Sequence, residues 1–231
     1  MTINKIDALK GFMPQHEGVA LQKWSAIFSL HGSVVEIGTY GGKSSLYLAS
    51  GAKKNDQIVF TIDHHYGSEE HQIDQEYFDE SNYDKSLGRV NTVPLLQKNL
   101  SKVKEINNII PLIGDANLVS RFWQMKIGLL FIDGSHTKKS AENDFNNWQE
   151  KIVSGGALVI HDIYEDPEEG GLGLFTHGSR KCKEIFSSSP SAIIKNRPET
   201  DHTFLEFLKG KEHTLHLIAA VSYTHLRAHE T

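Results

Sequence analysis

The fold is indicated most strongly by residues 34–44, which read Val-Val-Glu-Ile-Gly-Thr-Tyr-Gly-Gly-Lys-Ser. The first four residues predict a β-strand that ends at Gly38, and the glycines after it predict a tight turn. In open α/β sheets such a turn lies at the carboxyl end of a strand, which is where these folds bind ligands. The stretch therefore predicts both a fold class and the place of its binding site.

Four more apolar runs resemble this first strand. They are Ile58–Ile62, Ile109–Ile113, Ile127–Ile132 and Ala157–Ile160. The runs are continuously apolar rather than alternating, which is typical of parallel strands that are covered on both faces. Segments with helical periodicity separate them. This order predicts an α/β fold with a doubly wound, mostly parallel sheet in three α/β/α layers.

Three amphipathic segments are predicted to be helices of the outer layers. Their apolar positions are Ala20, Leu21, Trp24 and Phe28 in the first, Leu96, Leu100 and Val103 in the second, and Ala141, Phe145, Trp148 and Ile152 in the third. We expect the first, in the N-terminal helical segment 1–32, to pack on the sheet edge. The third is predicted to end at the glycines 155 and 156.

Residues 1–220 are predicted to form a single domain. Residues 66–91 form a polar insertion, rich in Asp, Glu, His and Tyr, that we expect to cover the strand ends. In the weakly patterned segment 172–220 we expect a helix near Arg180–Phe186 and strands near Ala192–Lys195 and Leu215–Ile218.

Residues 221–231 resemble the translation of a transposon-type sequencing adapter. We expect this tail to be non-native and the natural sequence to be truncated near Ala220.

Composition excludes several classes of protein. The 231 residues include 24 Lys and Arg against 29 Asp and Glu, a net charge of −5, which argues against a nucleic-acid partner. The single cysteine, Cys182, excludes a disulfide framework and a Cys-rich zinc site. No apolar run approaches the roughly 20 residues that span a bilayer, and the N-terminus has no secretory pattern. We expect a cytoplasmic protein without a membrane partner, which could form a homo-oligomer.

Acidic residues close four of the five predicted strands. They are Asp63, Asp115, Asp133 and Asp162. Each one alone could be a helix cap, because Asp is a favoured N-cap residue. Four together at the ligand-binding edge of a sheet favour a functional site.

The glycine turn allows four interpretations. A dinucleotide fingerprint would need glycine at positions 40 and 43, where Tyr40 and Lys43 stand. A Walker loop would need one more residue between Gly38 and the Gly-Lys-Ser at 42–44. The turn could instead cradle a ligand without phosphate, with Asp63 on a ribose, or it could be only a tight turn.

The combined motifs resemble class I S-adenosylmethionine-dependent methyltransferases over about Glu17 to Gly171. The residues that carry the resemblance are Val35–Gly42, Asp63, Gly114-Asp115-Ala116, Phe131–His136, Gly155-Gly156 and His161-Asp162. The second half of this set is similar to a subgroup that contains bacterial O-methyltransferases acting on sugars of macrolides and related glycosides. Residues 63–72 are also similar to a segment of bacterial relatives.

The resemblance implies how the cofactor S-adenosylmethionine would be bound. The backbone around Gly38 and Gly41 would hold its methionine part, Asp63 its ribose, and Asp115 with Ala116 its adenine. Three further residues complete the implied cofactor-binding set, namely Glu36, Tyr40 and Asp133. The domain 1–220 would then be one methyltransferase domain in a Rossmann-like fold.

The resemblance also implies a divalent cation and a general base. Asp133 and Asp162 match metal ligands of the metal-dependent members, and His136 matches their base. This chain has His161 where those members have an acid, and a histidine ligand would favour manganese or iron over magnesium. Oxygen ligands alone suit magnesium, and an unperturbed imidazole pKa of about 6.5 suits proton removal at neutral pH. His64, His65 and His71 belong either to a solvated insertion or to the substrate mouth.

The sequence therefore predicts a methyltransferase that acts on a small-molecule acceptor, by O-methylation of a hydroxylated compound such as a sugar or glycoside. Two alternatives stay open. One is a nucleotide hydrolase that uses the Walker-like loop, and the other is a non-catalytic cofactor-binding scaffold or truncated fragment.

Overall fold

The computed structural model describes residues 2–135, 138–161, 163–166, 171–174 and 216–220. The helices are α1 Thr2–Asp7, α2 Gln15–Phe28, α3 Lys43–Ala52, α4 Val93–Lys102, α5 Ala116–Ser120 and α6 Lys138–Trp148. The strands are β1 Ser33–Ile37, β2 Val59–Asp63, β3 Tyr83–Asp84, β4 Arg89–Val90, β5 Ile109–Ile113, β6 Ile127–Ile132, β7 Ile152–Ile160, β8 Ile163–Asp166, β9 Gly171–Leu174 and β10 His216–Ala220.

The main sheet has six strands in the order β10-β7-β6-β1-β2-β5. The strands β7, β6, β1, β2 and β5 are parallel, and β10 runs antiparallel to β7 at one edge. The chain moves outward from β1 to β2 and β5, then crosses to β6 and β7 on its other side. The predicted doubly wound, mostly parallel sheet is confirmed.

Alternate residues of the strands point to opposite faces and build two separate cores. On one face, Val34 of β1 and Leu129 of β6 pack with side chains of α1, α2 and α3. On the other face, Val35 and Leu130 pack with side chains of α5 and α6. Both faces of the central strands are therefore covered by helices, which confirms the three α/β/α layers and explains why these runs are continuously apolar.

The third predicted strand departs from this pattern. β5 pairs with β2 alone among the described strands, and Ile113 at its end is 61% exposed. Pro111 fits such an edge position because it has no backbone N–H to donate to a neighbour. The expectation that all five runs are covered on both faces is therefore wrong for β5.

Two helix predictions also need correction. α6 ends at Trp148 and a 3₁₀ turn at Gln149–Lys151 follows, so Ile152 already belongs to β7. Ile152 still packs in the same core as Phe145 and Trp148 of α6. Its position therefore continues the helical spacing of apolar residues, although it belongs to a strand. α2 lies beside α3 on the face of β6 and β7 rather than on the sheet edge.

Several predictions fall outside the described residues, namely the helix near Arg180–Phe186, the strand near Ala192–Lys195, the tail 221–231, His136 and Asp162. The predicted strand near Leu215–Ile218 corresponds to β10. Within the described residues, no helix has both the length and the apolar character needed to cross a membrane.

Candidate active site

A cavity of about 560 Å³ opens at the carboxyl ends of β1, β2, β5 and β6. The predicted site residues that line it are Gly38, Tyr40, Gly41, Asp63, Asp115, Ala116, Asp133 and His161. The parallel sheet brings them together because consecutive strands all end at this edge. The predicted residues His136 and Asp162 lie outside the described residues.

Gly38 makes the first turn possible. Its φ is +89°, and its amide donates to the carbonyl of Ile62 at 3.0 Å. A Cβ atom at this position would lie 1.9 Å from the backbone carbonyl oxygen of Asp133. Glycine is therefore required both by the backbone conformation and by the close approach of the loop after β6.

Asp63 holds the glycine turn through three hydrogen bonds. Its Oδ2 accepts the amides of Thr39 and Tyr40, each at 2.9 Å, and its Oδ1 accepts the amide of His65 at 2.7 Å. Burial alone would raise the pKa of Asp63, but the neighbouring His65 and these amides outweigh burial and lower that pKa. Oδ2 is fully used, so Oδ1 is the oxygen with room for one more donor.

Tyr40 adopts a backbone conformation that usually belongs to glycine, with φ of +47°. Asn82 donates to its hydroxyl at 2.9 Å, and burial together with Asp79 raises the pKa of Tyr40 to about 12. Its ring centroid lies 5.0 Å from that of Phe12 and 5.4 Å from that of His71. Tyr40 is thus held from both ends as a neutral aromatic wall of the cavity.

The rings around Tyr40 form an aromatic mouth, which we define as Phe12, Tyr40, His71 and Tyr77. Phe12 stands 5.6 Å from Tyr77 between ring centroids, and both rings remain exposed. All four line the cavity. The mouth therefore presents apolar ring faces to any molecule that enters.

The polar insertion 66–91 contributes to the wall of the cavity. The insertion residues on this wall include Gly67, Glu70, His71, Glu76 and Tyr77. Ser135, in the loop after β6, donates to Glu69 at 2.9 Å and so joins the insertion to the opposite side of the site.

The three histidines near the insertion have different environments. His64 and His71 line the cavity, whereas His65 is buried, so the solvated interpretation is wrong for His65. Burial lowers the pKa of His65 despite the nearby Asp63, and its Nδ1 pairs with the Thr92 hydroxyl at 2.7 Å. His65 is therefore a structural residue under the turn.

Glu36 does not reach the cavity and is completely buried behind the turn. Its Oε2 accepts hydrogen bonds from Thr61 at 2.6 Å and from Ser45, and Thr61 in turn contacts Thr39 of the turn. Burial raises the pKa of Glu36 to about 7. The prediction of direct cofactor contact needs correction, because Glu36 acts on the turn from below through Thr61.

His161 lies between two carboxylates from different elements. Its Nε2 is 2.8 Å from Oε2 of Glu17, a buried residue of α2, and its Nδ1 is 3.3 Å from Oδ1 of Asp133. His161 and Asp133 are residue types that would hold a divalent cation, one through an imidazole nitrogen and the other through a carboxylate oxygen. The contact with Glu17 is the kind of support that metal-bound histidines usually have.

The described residues alone do not complete a metal site. No group of three or more His, Cys, Asp or Glu side chains among them is arranged to hold an ion. Asp133 and His161 supply two neighbouring ligands, and Asp162, the remaining predicted ligand, lies outside the described residues. Glu17 was not predicted, because only the tertiary packing of α2 brings it to the strand ends.

Asp115 and Ala116 begin α5 at the other end of the cavity. The Asp115 Oδ1 accepts the Leu118 amide at 2.9 Å, so this residue is an N-cap that also faces the cavity. Asp144 of α6 lines the same region and was not predicted. Its signal in the sequence is an acid at a position that falls within the apolar stripe 141, 145 and 148 of an amphipathic helix.

The wall of the cavity is strongly acidic. Six carboxyl groups line it, those of Asp63, Glu70, Glu76, Asp115, Asp133 and Asp144. Lys43 is the one Lys or Arg of the described wall, and its ammonium lies 3.7 Å from Asp7. The cavity therefore favours neutral or cationic ligands over anions.

Several solved structures are similar to this chain, all at low sequence identity. Cofactor-bound Rv0187 from MTB is 18% identical with a TM-score of 0.47, and the match covers 70% of this chain and 62% of that one. The O-methyltransferase from Bacillus cereus, in complex with SAH (S-adenosylhomocysteine), is 16% identical with a TM-score of 0.49, covering 70% and 66%. The O-methyltransferase NovP is 13% identical with a TM-score of 0.55, covering 78% and 74%.

The chain spans less than two thirds of the length of the first two of these proteins. The similarity to NovP supports the shared fold. A family profile for a methyltransferase domain matches residues 35–163, which is more than half of the chain and includes the glycine turn and the ends of all five parallel strands. The chain therefore belongs to this methyltransferase domain family.

Proposed function

We propose that this chain is an O-methyltransferase that uses S-adenosylmethionine and acts on a small hydroxylated acceptor such as a sugar or glycoside. The observation that carries the proposal is the cavity itself, in which a glycine turn fixed by Asp63 meets the ends of four parallel strands. Family membership sets the reaction as methyl transfer. The Bacillus cereus protein, whose structure contains SAH, supports the choice of methyl donor.

The wall offers suitable groups for each part of S-adenosylmethionine. The backbone at Gly38 and Gly41 would hold the methionine part, Oδ1 of Asp63 a ribose hydroxyl, and Asp115 with Ala116 the adenine. When bound, the donor supplies an electrophilic methyl group on a positively charged sulfur. The acidic wall stabilises that positive charge, and the protein's main contribution is to align the acceptor hydroxyl with the methyl group.

The acceptor would enter through the aromatic mouth. Phe12 and Tyr77 present exposed ring faces there, and the C–H faces of a sugar ring can pack against them. The carboxylates of the wall can accept hydrogen bonds from several hydroxyls. The same carboxylates disfavour phosphorylated or carboxylated acceptors, so a neutral polyhydroxylated compound fits this entrance best.

His136 is our proposed general base, and Asp133, His161 and Asp162 are our proposed cation ligands. The 3.3 Å separation of the Asp133 and His161 atoms supports the ligand set, and Glu17 would hold His161 in the required orientation. A cation there would lower the pKa of an acceptor hydroxyl. His136, three residues after Asp133, would take the released proton.

A binding experiment tests the choice of donor. Calorimetric titration should show that S-adenosylhomocysteine binds and that ATP does not compete, since the turn is not a Walker loop. Asp63→Ala should weaken binding by roughly ten- to a hundredfold, because it removes a charge-assisted contact and releases the turn. Competition by ATP would instead favour the nucleotide hydrolase.

A transfer assay tests the acceptor and the cation. Radiolabelled methyl transfer should be seen with one or more neutral sugars or glycosides, and EDTA should abolish it until Mg²⁺ or Mn²⁺ is added back. Asp133→Asn should lose turnover and keep most S-adenosylhomocysteine affinity. Binding without transfer to any member of a broad acceptor panel would favour a cofactor-binding scaffold. We also place the enzyme in the cytoplasm, which cell fractionation would test.

A further inference from the structure

Asp144 is a nearly buried acid whose carboxyl group faces the cavity. Its side chain comes from the inner face of α6, beside the core residues Phe145 and Trp148, and the residue is only 4% exposed. No hydrogen bond or ion pair joins its carboxyl group to any part of the chain that the structure describes. A carboxyl group that lines a ligand cavity and makes no hydrogen bond to the described residues is available to a ligand in that cavity.

The neighbours of Asp144 define what that ligand can be. A Cβ atom added to Gly134, in the loop after β6, would lie 3.1 Å from Oδ2 of Asp144. The charged group that acts on it from an adjoining element is Asp115 at the start of α5, which is also an acid. Lys43, the one lysine of the described cavity wall, belongs to α3. Among the described side chains of α6, Asp144 is the one titratable group.

An acid that is buried beside a second acid favours its protonated form. Asp115 already accepts the Leu118 amide, whereas Asp144 accepts no hydrogen bond from the described residues. Burial, followed by the charge of Asp115, raises the pKa of Asp144 to about 7. At neutral or mildly acidic pH, Asp144 therefore presents an O–H donor and a C=O acceptor side by side.

We propose that Asp144 binds the amino edge of the adenine of the methyl donor, donating to ring N1 and accepting from the 6-amino group. This inference rests on the proposed function, which places the adenine beside Asp115 and Ala116 in the same part of the cavity. The N1 and 6-amino groups of adenine are an acceptor next to a donor, and a neutral carboxyl group offers the complementary pair. Asp144 thereby recognises the adenine by its amino edge.

The test combines variants of Asp144 with a change in the base. S-adenosylhomocysteine and its analogue without the 6-amino group are titrated calorimetrically into the wild type, Asp144→Asn and Asp144→Ala. The wild type should prefer S-adenosylhomocysteine by about fivefold, the typical effect of one hydrogen bond. Asp144→Asn should stay within about threefold of the wild type, because an amide offers the same donor and acceptor.

Asp144→Ala should bind S-adenosylhomocysteine about tenfold more weakly and should show no preference between the two compounds. An undiminished preference in Asp144→Ala would overturn the inference, because the 6-amino group would then have another partner. Asp144→Leu, which fills the vacated volume, gives the same readout if the alanine variant does not fold. Asp74→Asn, an exposed acid away from the cavity, is the matched control.

The two proposals fail in different ways. If the wild type binds neither compound, the choice of methyl donor is wrong. If the wild type binds S-adenosylhomocysteine and the preference survives removal of Asp144, the donor stands and the assignment of Asp144 falls.

Discussion

At the scale of single residues, the turn after β1 combines a required glycine with a tolerated tyrosine. Gly38 has no space for a side chain, because the carbonyl of Asp133 occupies the position of its Cβ. Tyr40 has the same sign of φ and keeps its side chain, since Asn82, Phe12 and His71 hold the ring in place. The sequence identifies Gly38. Only the structure explains how position 40 can hold a tyrosine although its positive φ is usually found at glycine.

Gly38→Ala should strongly destabilise the protein and abolish S-adenosylhomocysteine binding. A methyl group 1.9 Å from a backbone oxygen forces the loops after β1 and β6 apart, in addition to the strain of a φ of +89°. We expect a loss of about 3 kcal/mol or more in the free energy of unfolding, measured by urea denaturation. Gly88→Ala is the control, because it has φ of +65° but no atom within 4 Å. An equal loss in both variants would show that the close approach is unimportant.

Glu36 should make the protein less stable as the pH rises. Its pKa is about 7 in the folded state against an ordinary value of 4.5, so the folded state binds more protons between these values. The free energy of unfolding therefore decreases from about pH 4.5 to pH 7, by at most about 3 kcal/mol from this group.

Glu36→Gln should remove that part of the pH dependence and leave the part that Asp144 contributes. Urea denaturation at pH 5 and pH 8 measures the difference. Glu80→Gln, an exposed acid of the insertion, should behave as the wild type. An unchanged pH dependence in Glu36→Gln would mean that Glu36 is charged in the folded protein.

At the scale of elements, the strands could be predicted because their signals are local. Each central strand is a short apolar run closed by glycine or an acid, and two-sided burial makes that run continuous. β5 shows the limit, because an equally apolar run forms an edge strand with exposed residues. Ile152 shows another limit, since a strand residue can continue the spacing of a preceding helix.

The unpredicted residues of the site depend on contacts between elements. Glu17 reaches His161 only because α2 lies across β6 and β7. The sequence of α2 alone does not predict a contact with a residue so distant along the chain. Asp144 carries a weak local signal, an acid in an apolar stripe. Its importance comes from its place on the cavity wall near Asp115, whose charge helps to raise its pKa.

The insertion should determine acceptor binding rather than donor binding. Tyr77→Ala removes a ring from the aromatic mouth and leaves the glycine turn intact. We expect the KM for the acceptor to rise by about fivefold or more, with S-adenosylhomocysteine affinity nearly unchanged. Ile73→Ala, an exposed apolar residue of the same insertion that does not line the cavity, is the control. A loss of donor affinity in Tyr77→Ala would instead place the methyl donor at the mouth.

At the scale of the whole molecule, residues from both helical layers of the α/β/α fold line the cavity. Residues before α2 and the start of α3 contribute one side, and α5 and α6 contribute the other. Only a parallel sheet that reverses its strand order near β1 leaves such a crevice between the loops. The fold thus explains the place of the site, while the charge of its wall sets the ligands it accepts.

The acidic wall should discriminate between acceptors by charge. Six carboxyl groups and a single lysine line the described cavity, and the chain carries a net charge of −5. A neutral glycoside should therefore have a higher kcat/KM than the matching uronic acid, which differs by one carboxylate. We expect a factor of at least about five, since one unfavourable charge contact at close range costs about 1 kcal/mol or more.

Raising the salt concentration should reduce this discrimination, because part of the wall is exposed to solvent and its field is screened. Glu76→Gln, which removes one carboxylate of the wall, should also reduce the discrimination between the two acceptors. The kcat/KM of the neutral glycoside should stay unchanged in this variant. Initial rates with the paired acceptors at low and high salt measure both effects. A uronic acid that reacts as well as its neutral partner would show that the wall does not select acceptors by charge.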